Sequence, residues 1–62
     1  MKDYRIGQRV TYKVDDFDGS FSTECMVVDV KDGYAIAVEI NEPEPLRLMI
    51  DAYTDYMFKA IA

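Results

Sequence analysis

The sequence has no histidine and no tryptophan, and it has only one cysteine, three glycines and two prolines among 62 residues. Without histidine, the chain lacks the usual general base near neutral pH and the commonest transition-metal ligand. No glycine-rich loop precedes a helix, which excludes a phosphate cradle of the usual kind. The single cysteine, Cys25, has no histidine partner and lies in the middle of a predicted strand, TECMVV, which indicates a small buried side chain rather than a reactive thiol. We therefore expect no enzyme activity, no cofactor and no metal.

Long apolar segments are also missing. No run approaches the roughly 20 apolar residues needed to cross a bilayer, and the opening MKDYRIGQRV lacks the apolar stretch of a secretory signal. One cysteine cannot form an internal disulfide, which is typical of proteins in a reducing compartment. These features predict a cytoplasmic protein that does not associate with membranes.

Cations are scarce and unevenly distributed. Seven lysines and arginines stand against twelve acidic residues, for a net charge of −5. Four of the cations lie in residues 1–13 with a single acid, Asp3, whereas residues 14–62 carry eleven acids and three cations. An acidic surface repels phosphate backbones and attracts cationic partners. We therefore expect a partner with a basic surface.

Alternating apolar residues are abundant. Of all residues, 50% are hydrophobic, and they recur with period two over residues 9–14, 34–40 and 46–51, which predicts half-buried strands. In the middle segment we expect the bulky Ile36 and Val38 to face the interior and the alanines beside them to face outward.

A longer run, residues 21–30, does not keep one phase. A β-bulge at residues 24–26, or a strongly bent strand packed on both sides, would reconcile its two sets of apolar residues. The connections support a strand interpretation. Asp32-Gly33 supplies the positive φ angles of a tight hairpin turn, and the two prolines in residues 41–45 stop strand pairing.

The C-terminal segment, residues 51–61, has two interpretations. Apolar residues at helical spacing, with Asp51 as an N-cap, predict a short helix. That helix would leave Phe58 on its wet face. The alternative is a 3₁₀ turn followed by a short fifth strand, which buries Phe58. Both interpretations stay open on the sequence alone.

Four antiparallel strands, a long hairpin between the first two and a turn before a short fifth strand resemble an SH3-like small barrel. The resemblance is one of element order over the whole chain. Peptide-binding SH3 domains have an ALYDY-like run and a tryptophan pair, which this sequence lacks, so no functional residue is transferred. The expected architecture is all-β, a single small domain over residues 1–62 built as an SH3-like five-stranded antiparallel barrel.

The stretch VDDFDGSF, residues 14–21, is the clearest candidate for a binding element. As an EF-hand loop with Gly19 at the glycine position, it would need an acid at Val14 and a glutamate at Cys25, so a specific calcium site is excluded. Aspartate and glycine are typical of a hairpin turn, and charges on the tip discourage edge pairing. A side chain such as Phe17 on that tip is unfavourable unless something covers it, which predicts a binding role.

These features predict a non-catalytic, acidic protein-interaction module. The expected partner is a basic protein, most concretely a nucleic-acid-binding protein inhibited by a small nucleic-acid mimic of the kind that phages and mobile elements encode. The residues expected to contact it are acidic or aromatic: Asp15, Asp16, Phe17, Asp18, Glu42, Glu44, Tyr53 and Tyr56.

Two other functions fit the composition. Direct nucleic-acid binding would use Arg5, Arg9 and Lys13 together with surface tyrosines as stacking platforms, although most of the remaining surface is too acidic for a long groove. A structural subunit of a homo-oligomer, for example a homodimer, would have the same size and charge.

Overall fold

The computed structural model describes residues 1–61. In chain order the elements are β1 (Arg9–Asp16), β2 (Gly19–Lys31), β3 (Tyr34–Glu39), β4 (Arg47–Ile50), the 3₁₀ turn η1 (Asp55–Met57) and β5 (Phe58–Ala60). These residues contain no α-helix, so the all-β prediction is confirmed. No helical segment in them has the length and apolar character needed to span a membrane.

The five strands form one antiparallel sheet with the order β4-β3-β2-β1-β5. β4 and β5 are its two edges, and within residues 1–61 they do not pair with each other. The five-stranded antiparallel sheet is therefore as predicted, but it is open rather than closed into a barrel. Closure needs strands that tilt and pair around the whole circumference, and β4 and β5 have only four and three residues.

The inner face of the sheet carries the core. Its buried apolar residues come from the N-terminal segment and from all five strands: Tyr4, Val10, Cys25, Val27, Ala35, Ala37, Ile50 and Phe58. The half-buried ring of Tyr12 also contacts the core, with its centroid 5.0 Å from that of Phe58. Because Phe58 supplies the first residue of the three-residue β5, this contact holds the short edge strand on the sheet.

The side chains of β3 face the opposite way to the prediction. Ala35 and Ala37 are fully buried on the inner face, whereas Ile36 and Val38 are half-buried on the outer face. The expectation that bulky residues point inward was wrong because other elements already fill the interior. Ile50 lies directly opposite Ala35, and a close-packed core has room for only small side chains beside it.

The predicted irregularity of β2 is present, but it lies beyond residues 24–26. The register between β2 and β3 shifts between Val27 and Asp29, which makes Val28 the extra residue of a β-bulge. Odd-numbered residues face inward before the bulge, and Val30 does so after it, opposite an inward-facing alanine. The bulge therefore explains why the apolar residues of this strand have two phases.

The C-terminal segment forms a turn and a strand, and the helical interpretation is wrong. Asp51 begins the turn, since its Oδ1 accepts the backbone N–H groups of Tyr53 at 2.9 Å and Thr54 at 3.1 Å. β5 then pairs with β1, and Phe58 lies opposite Tyr12. Phe58 is only 1% exposed. A helix over these residues would have left this large ring exposed and lost the free energy gained from its burial.

Candidate protein-interaction surface

β1 and β2 continue past the rest of the sheet as a two-stranded arm. The last pair between β1 and β5 is Tyr12 with Phe58, and the last pair between β2 and β3 is Cys25 with Glu39. Beyond these pairs, residues 13–22, called the arm below, form a hairpin whose strand residues pair only with each other. The end of the arm is therefore free to enter a site on another molecule.

The arm ends in a tight turn at Phe17 and Asp18. The Oδ1 atom of Asp16 accepts the backbone N–H of Asp18 at 2.8 Å. Gly19 has a φ of +125°, a backbone angle that residues with a side chain rarely adopt. The hairpin predicted for this stretch is confirmed. Within residues 1–61, no group of three acidic, cysteine or histidine side chains is placed to hold a metal ion.

The tip of the arm, defined as Asp15–Asp18, exposes an aromatic ring among carboxylates. Phe17 has a relative exposure of 108%, and the three aspartates are exposed as well. None of the three ion pairs formed within residues 1–61 involves these aspartates. The tip thus combines an uncovered apolar group with three acidic side chains that form no ion pair within residues 1–61.

Tyr56 lies at the base of the arm on the β1 side. It lines a cavity of about 280 Å³ together with Lys13, Asp15, Met57 and Lys59. The structure therefore brings two of the predicted contact residues, Asp15 and Tyr56, to one cavity at the edge of the arm.

Glu42 and Glu44 lie on the other side of the arm. Both are exposed in the loop between β3 and β4. This loop starts beside the arm, because the backbone N–H of Ile40 donates to the carbonyl of Glu24 at 3.1 Å. Tyr53 is 87% exposed in the turn after β4, and it belongs to neither the tip nor the cavity.

The loop that carries Glu42 and Glu44 is closed at its base by Glu39. Glu39 is buried, with 8% exposure, and its Oε1 accepts the backbone N–H of Leu46 at 2.8 Å. The backbone N–H of Glu39 donates in turn to the Leu46 carbonyl at 3.1 Å. A buried carboxylate is tolerated when it is hydrogen-bonded, and here the bond fixes where the acidic loop begins and ends.

A second surface, on the outer face of β2, β3 and β4, was not identified from the sequence. The strand pairings place Met26 beside Val38 and Ile36 beside Met49. Met49 is 53% exposed and the other three are half-buried. We call these four residues the outer patch. The period-two alternation of β3 was the available signal, but it does not say which of its two faces is covered.

Cations are concentrated on the outer face of the sheet. Five of the seven lysines and arginines lie on the outer face of the strands: Arg9, Lys13, Lys31, Arg47 and Lys59. Only three of the twelve acids lie there: Asp15, Glu24 and Asp29. Arg9 Nη1 lies 3.5 Å from Glu24 Oε2, and Lys31 Nζ lies 3.8 Å from Asp29 Oδ2. The outer face thus has an excess of cations, whereas the rest of the chain has an excess of acids.

Not all of the tyrosines considered for direct nucleic-acid binding lie beside the cations. Arg9 and Lys13 are on the outer face of β1, and Arg5 is exposed before it. Tyr4 and Tyr12 are in or against the core on the inner face. A single-strand binding groove needs stacking platforms along its basic track. These two tyrosines, packed in or against the core, cannot serve as such platforms, whereas the exposed Tyr56 lines a cavity together with Lys13.

Tyr4 connects the N-terminal segment to η1. Its hydroxyl donates to Asp55 Oδ1 at 2.6 Å. Burial, and then the hydrogen bond and charge of Asp55, raise the pKa of Tyr4 well above its ordinary value of 10.0. The same hydrogen bond is the main cause that lowers the pKa of Asp55, against the opposing effect of burial. Lys2, with its Nζ 3.3 Å from Asp55 Oδ1, lowers that pKa further.

Cys25 is fully buried in the middle of β2. Burial, with smaller contributions from the charges of Glu39 and Glu24, raises the pKa of its thiol to about 11. The thiol is therefore protonated at neutral pH and out of reach of solvent. The prediction of a buried cysteine in the core is confirmed.

Comparison of the chain with protein-family models, curated proteins and solved structures gave no significant match. The described residues define a small all-β protein with an acidic, aromatic-tipped arm and a cation-rich apolar sheet face. The function is therefore inferred from the geometry and charge of these two surfaces.

Proposed function

We propose that this chain is a non-catalytic protein-interaction module that binds a basic partner protein through the tip of its arm. The exposure of Phe17 is the observation that carries the proposal, because no other group in residues 1–61 covers the ring at 108% exposure. Burying such a ring in a partner gains about 1.5–3 kcal/mol. Buried aromatic side chains at the centre of an interface are typical anchors of protein binding.

The aspartates beside Phe17 select a cationic partner. Charges around an interface speed up association with an oppositely charged surface and disfavour wrong partners. Because the arm extends beyond its neighbours in the sheet, the tip can enter a concave site without a clash from the remaining strands. The aromatic ring of Phe17 and the aspartates around it can therefore contact the same site on the partner.

We infer that the partner handles nucleic acid. A groove that binds a phosphate backbone presents cations that a row of carboxylates can neutralise, and an inserted aromatic ring can occupy the position of a stacked base. The net charge of −5 in a chain of 62 residues supports an inhibitor or nucleic-acid mimic of the phage or mobile-element type. Glu42 and Glu44 would extend the contact on one side of the arm and Tyr56 on the other.

Two further assignments belong with this proposal. An SH3-like fold is supported by the order of elements, with a long β1–β2 hairpin and a 3₁₀ turn before β5. A cytoplasmic location is supported by the single free cysteine, which is typical of reducing compartments.

The test is capture of a partner by the immobilised protein from a cell lysate, followed by binding kinetics with the purified partner. We expect a basic protein whose dissociation constant rises about 30-fold or more with Phe17→Ala, because an interface anchor contributes at least about 2 kcal/mol. Asp15→Asn with Asp18→Asn should slow association and reduce its salt dependence. Asp16 is left intact because its carboxylate holds the turn.

Ile6→Ala is the matched control, since it removes an apolar side chain that is 69% exposed in the N-terminal segment, outside the arm. It should leave binding unchanged. If Phe17→Ala leaves capture of the partner protein unchanged, a role for the tip is refuted. Binding of single-stranded DNA that is lost with Arg5→Ala, Arg9→Ala and Lys13→Ala, and strengthened by the two aspartate changes, would establish direct nucleic-acid binding instead.

A further inference from the structure

We propose that the outer patch of one copy of this chain binds the tip of the arm of a second copy, so that copies associate head to tail. The inference rests on the proposed function, because it uses the same tip. The tip has an uncovered aromatic ring and an excess of acids, and the outer patch has one exposed and three half-buried apolar side chains on a sheet face with an excess of cations. The acidic tip is therefore complementary in charge to the outer face, and both surfaces offer apolar side chains for contact.

The spacing of the charges on the outer face matches the width of the tip. Strand pairing places Arg9, Met26, Val38 and Arg47 in one row across β1, β2, β3 and β4. The two arginines at the ends of the row are three strand spacings apart, roughly 14 Å. A two-stranded tip is one spacing wide and fits between them. Phe17 then lies over the two apolar residues, and its neighbouring aspartates approach the arginines.

Arg47 is available for such a contact. It is exposed at the edge strand β4, and it takes part in none of the ion pairs within residues 1–61. Off the outer face, the strands, loops and termini hold nine acids and two cations. An acidic tip is repelled by that part of the surface and attracted by the outer face.

The occupant must come from a second copy. The arm is a continuation of β1 and β2 within the same sheet, so its tip cannot reach the outer face of its own chain. Two outer patches placed face to face would set the arginines around them against each other, which is unfavourable. Tip and patch are different surfaces, so a dimer leaves one of each free and further copies can add.

The association should be weak and concentration-dependent. Stable interfaces use about 20–30 residues a side, whereas the tip and the outer patch have four each by definition. We expect sedimentation velocity to show a monomer at low concentration and a larger species at high concentration. Added salt should shift the equilibrium toward monomer, because it screens exposed charges beyond about 10 Å.

Two variants separate the surfaces. The tip variant combines Phe17→Ala with Asp15→Asn, and the patch variant combines Arg47→Gln with Met49→Gln. Each variant alone should remain monomeric, with its association constant reduced about 30-fold or more. An equimolar mixture should recover association as a 1:1 heterodimer, because one variant keeps an intact patch and the other an intact tip. A symmetric interface through either surface predicts no recovery and would overturn the proposal.

Leu46→Gln is the matched control for Met49→Gln, since the two side chains are 54% and 53% exposed and only Met49 lies in the outer patch. It should leave self-association unchanged, and an equal loss would count against the patch. Protection of Cys25 from a thiol reagent verifies that each variant is folded.

The two proposals fail in different ways. A wild-type protein that stays monomeric at every concentration, while Phe17→Ala still abolishes capture of a basic protein, overturns self-association and leaves the proposed function intact. Self-association that Phe17→Ala does not change overturns the head-to-tail contact. Recovery in the variant mixture, with no other protein captured, supports the second copy as the partner.

Discussion

Asp55 is the residue on which the N-terminal segment depends. Its Oδ1 accepts the Tyr4 hydroxyl at 2.6 Å and the Lys2 backbone N–H at 3.1 Å, and the Lys2 ammonium lies 3.3 Å away. These groups stabilise the ionised carboxylate, and the pKa of Asp55 is therefore below its unfolded value of 3.8. A group with a lowered folded pKa stabilises the fold above the unfolded pKa, and that contribution is lost as pH falls through the folded pKa.

We expect Tyr4→Phe to destabilise the protein more at about pH 7 than at about pH 3, since the contribution of the ionised Asp55 to stability declines as pH falls below its unfolded pKa. Urea unfolding of both proteins at the two pH values measures this difference. Tyr12→Phe is the control, because Tyr12 contacts Phe58 through its ring. Its effect on the free energy of unfolding should not change over that range. An effect of Tyr4→Phe that is the same at both pH values would contradict the role of the carboxylate.

At the scale of the element, β4 shows how an edge strand divides its side chains between two surfaces. Its four residues alternate, and Ile50 is fully buried whereas its neighbour Met49 is 53% exposed. Ile50 lies opposite Ala35 on the inner face, and Met49 lies opposite Ile36 on the outer face. Ile50 therefore packs in the core, whereas Met49 belongs to the outer patch.

We expect Ile50→Ala to lower the free energy of unfolding by about 2–5 kcal/mol, because it leaves a cavity in the core. Met49→Ala should lower it by less than about 1 kcal/mol, since a half-exposed side chain loses little burial. Thermal or urea unfolding of the monomer at low concentration compares them directly. Equal effects would show that the orientation of β4 is wrong. The same pair should reverse its order in the self-association assay, where Met49 matters.

At the scale of the whole molecule, the open sheet has its most protected point at its centre. Cys25 lies in the third of the five sheet positions, paired with Val10 on one side and Glu39 on the other. Its side chain is fully buried, and the pKa of its thiol is raised to about 11. Fraying of either short edge strand leaves these two pairings intact, so exposure of the thiol requires opening of the central strands.

We expect the reaction of Cys25 with a thiol reagent at about pH 8 to be slow in the native protein and fast in urea. The free energy of opening obtained from the labelling rate should equal the global free energy of unfolding. Ile50→Ala and Met49→Ala should each speed labelling by the factor that its own loss of stability predicts, so that the effect of Ile50→Ala is much the larger. Rapid labelling of the native wild type would mean that the centre of the sheet opens locally.

Much of this fold follows from local sequence properties. Alternation predicts strands, and Asp32-Gly33 predicts the turn between β2 and β3, where Gly33 takes a φ of +89°. The hairpin at residues 14–21, with Phe17 on its tip, is predicted in the same way. These features depend on φ, ψ and side-chain chemistry within a few residues, so the local sequence is enough to specify them.

The remaining features of the fold depend on contacts between segments that are distant in the sequence. Which face of β3 is buried depends on Ile50 and Phe58, which fill the inner side from elements far along the chain. The outer patch depends on register among three strands, and the bulge at Val28 resets that register. Openness of the sheet depends on the shortness of its two edge strands. The period-two pattern of apolar residues in a strand shows that alternate residues share a face. Which of the two faces is covered depends on the volume and pairing of distant segments.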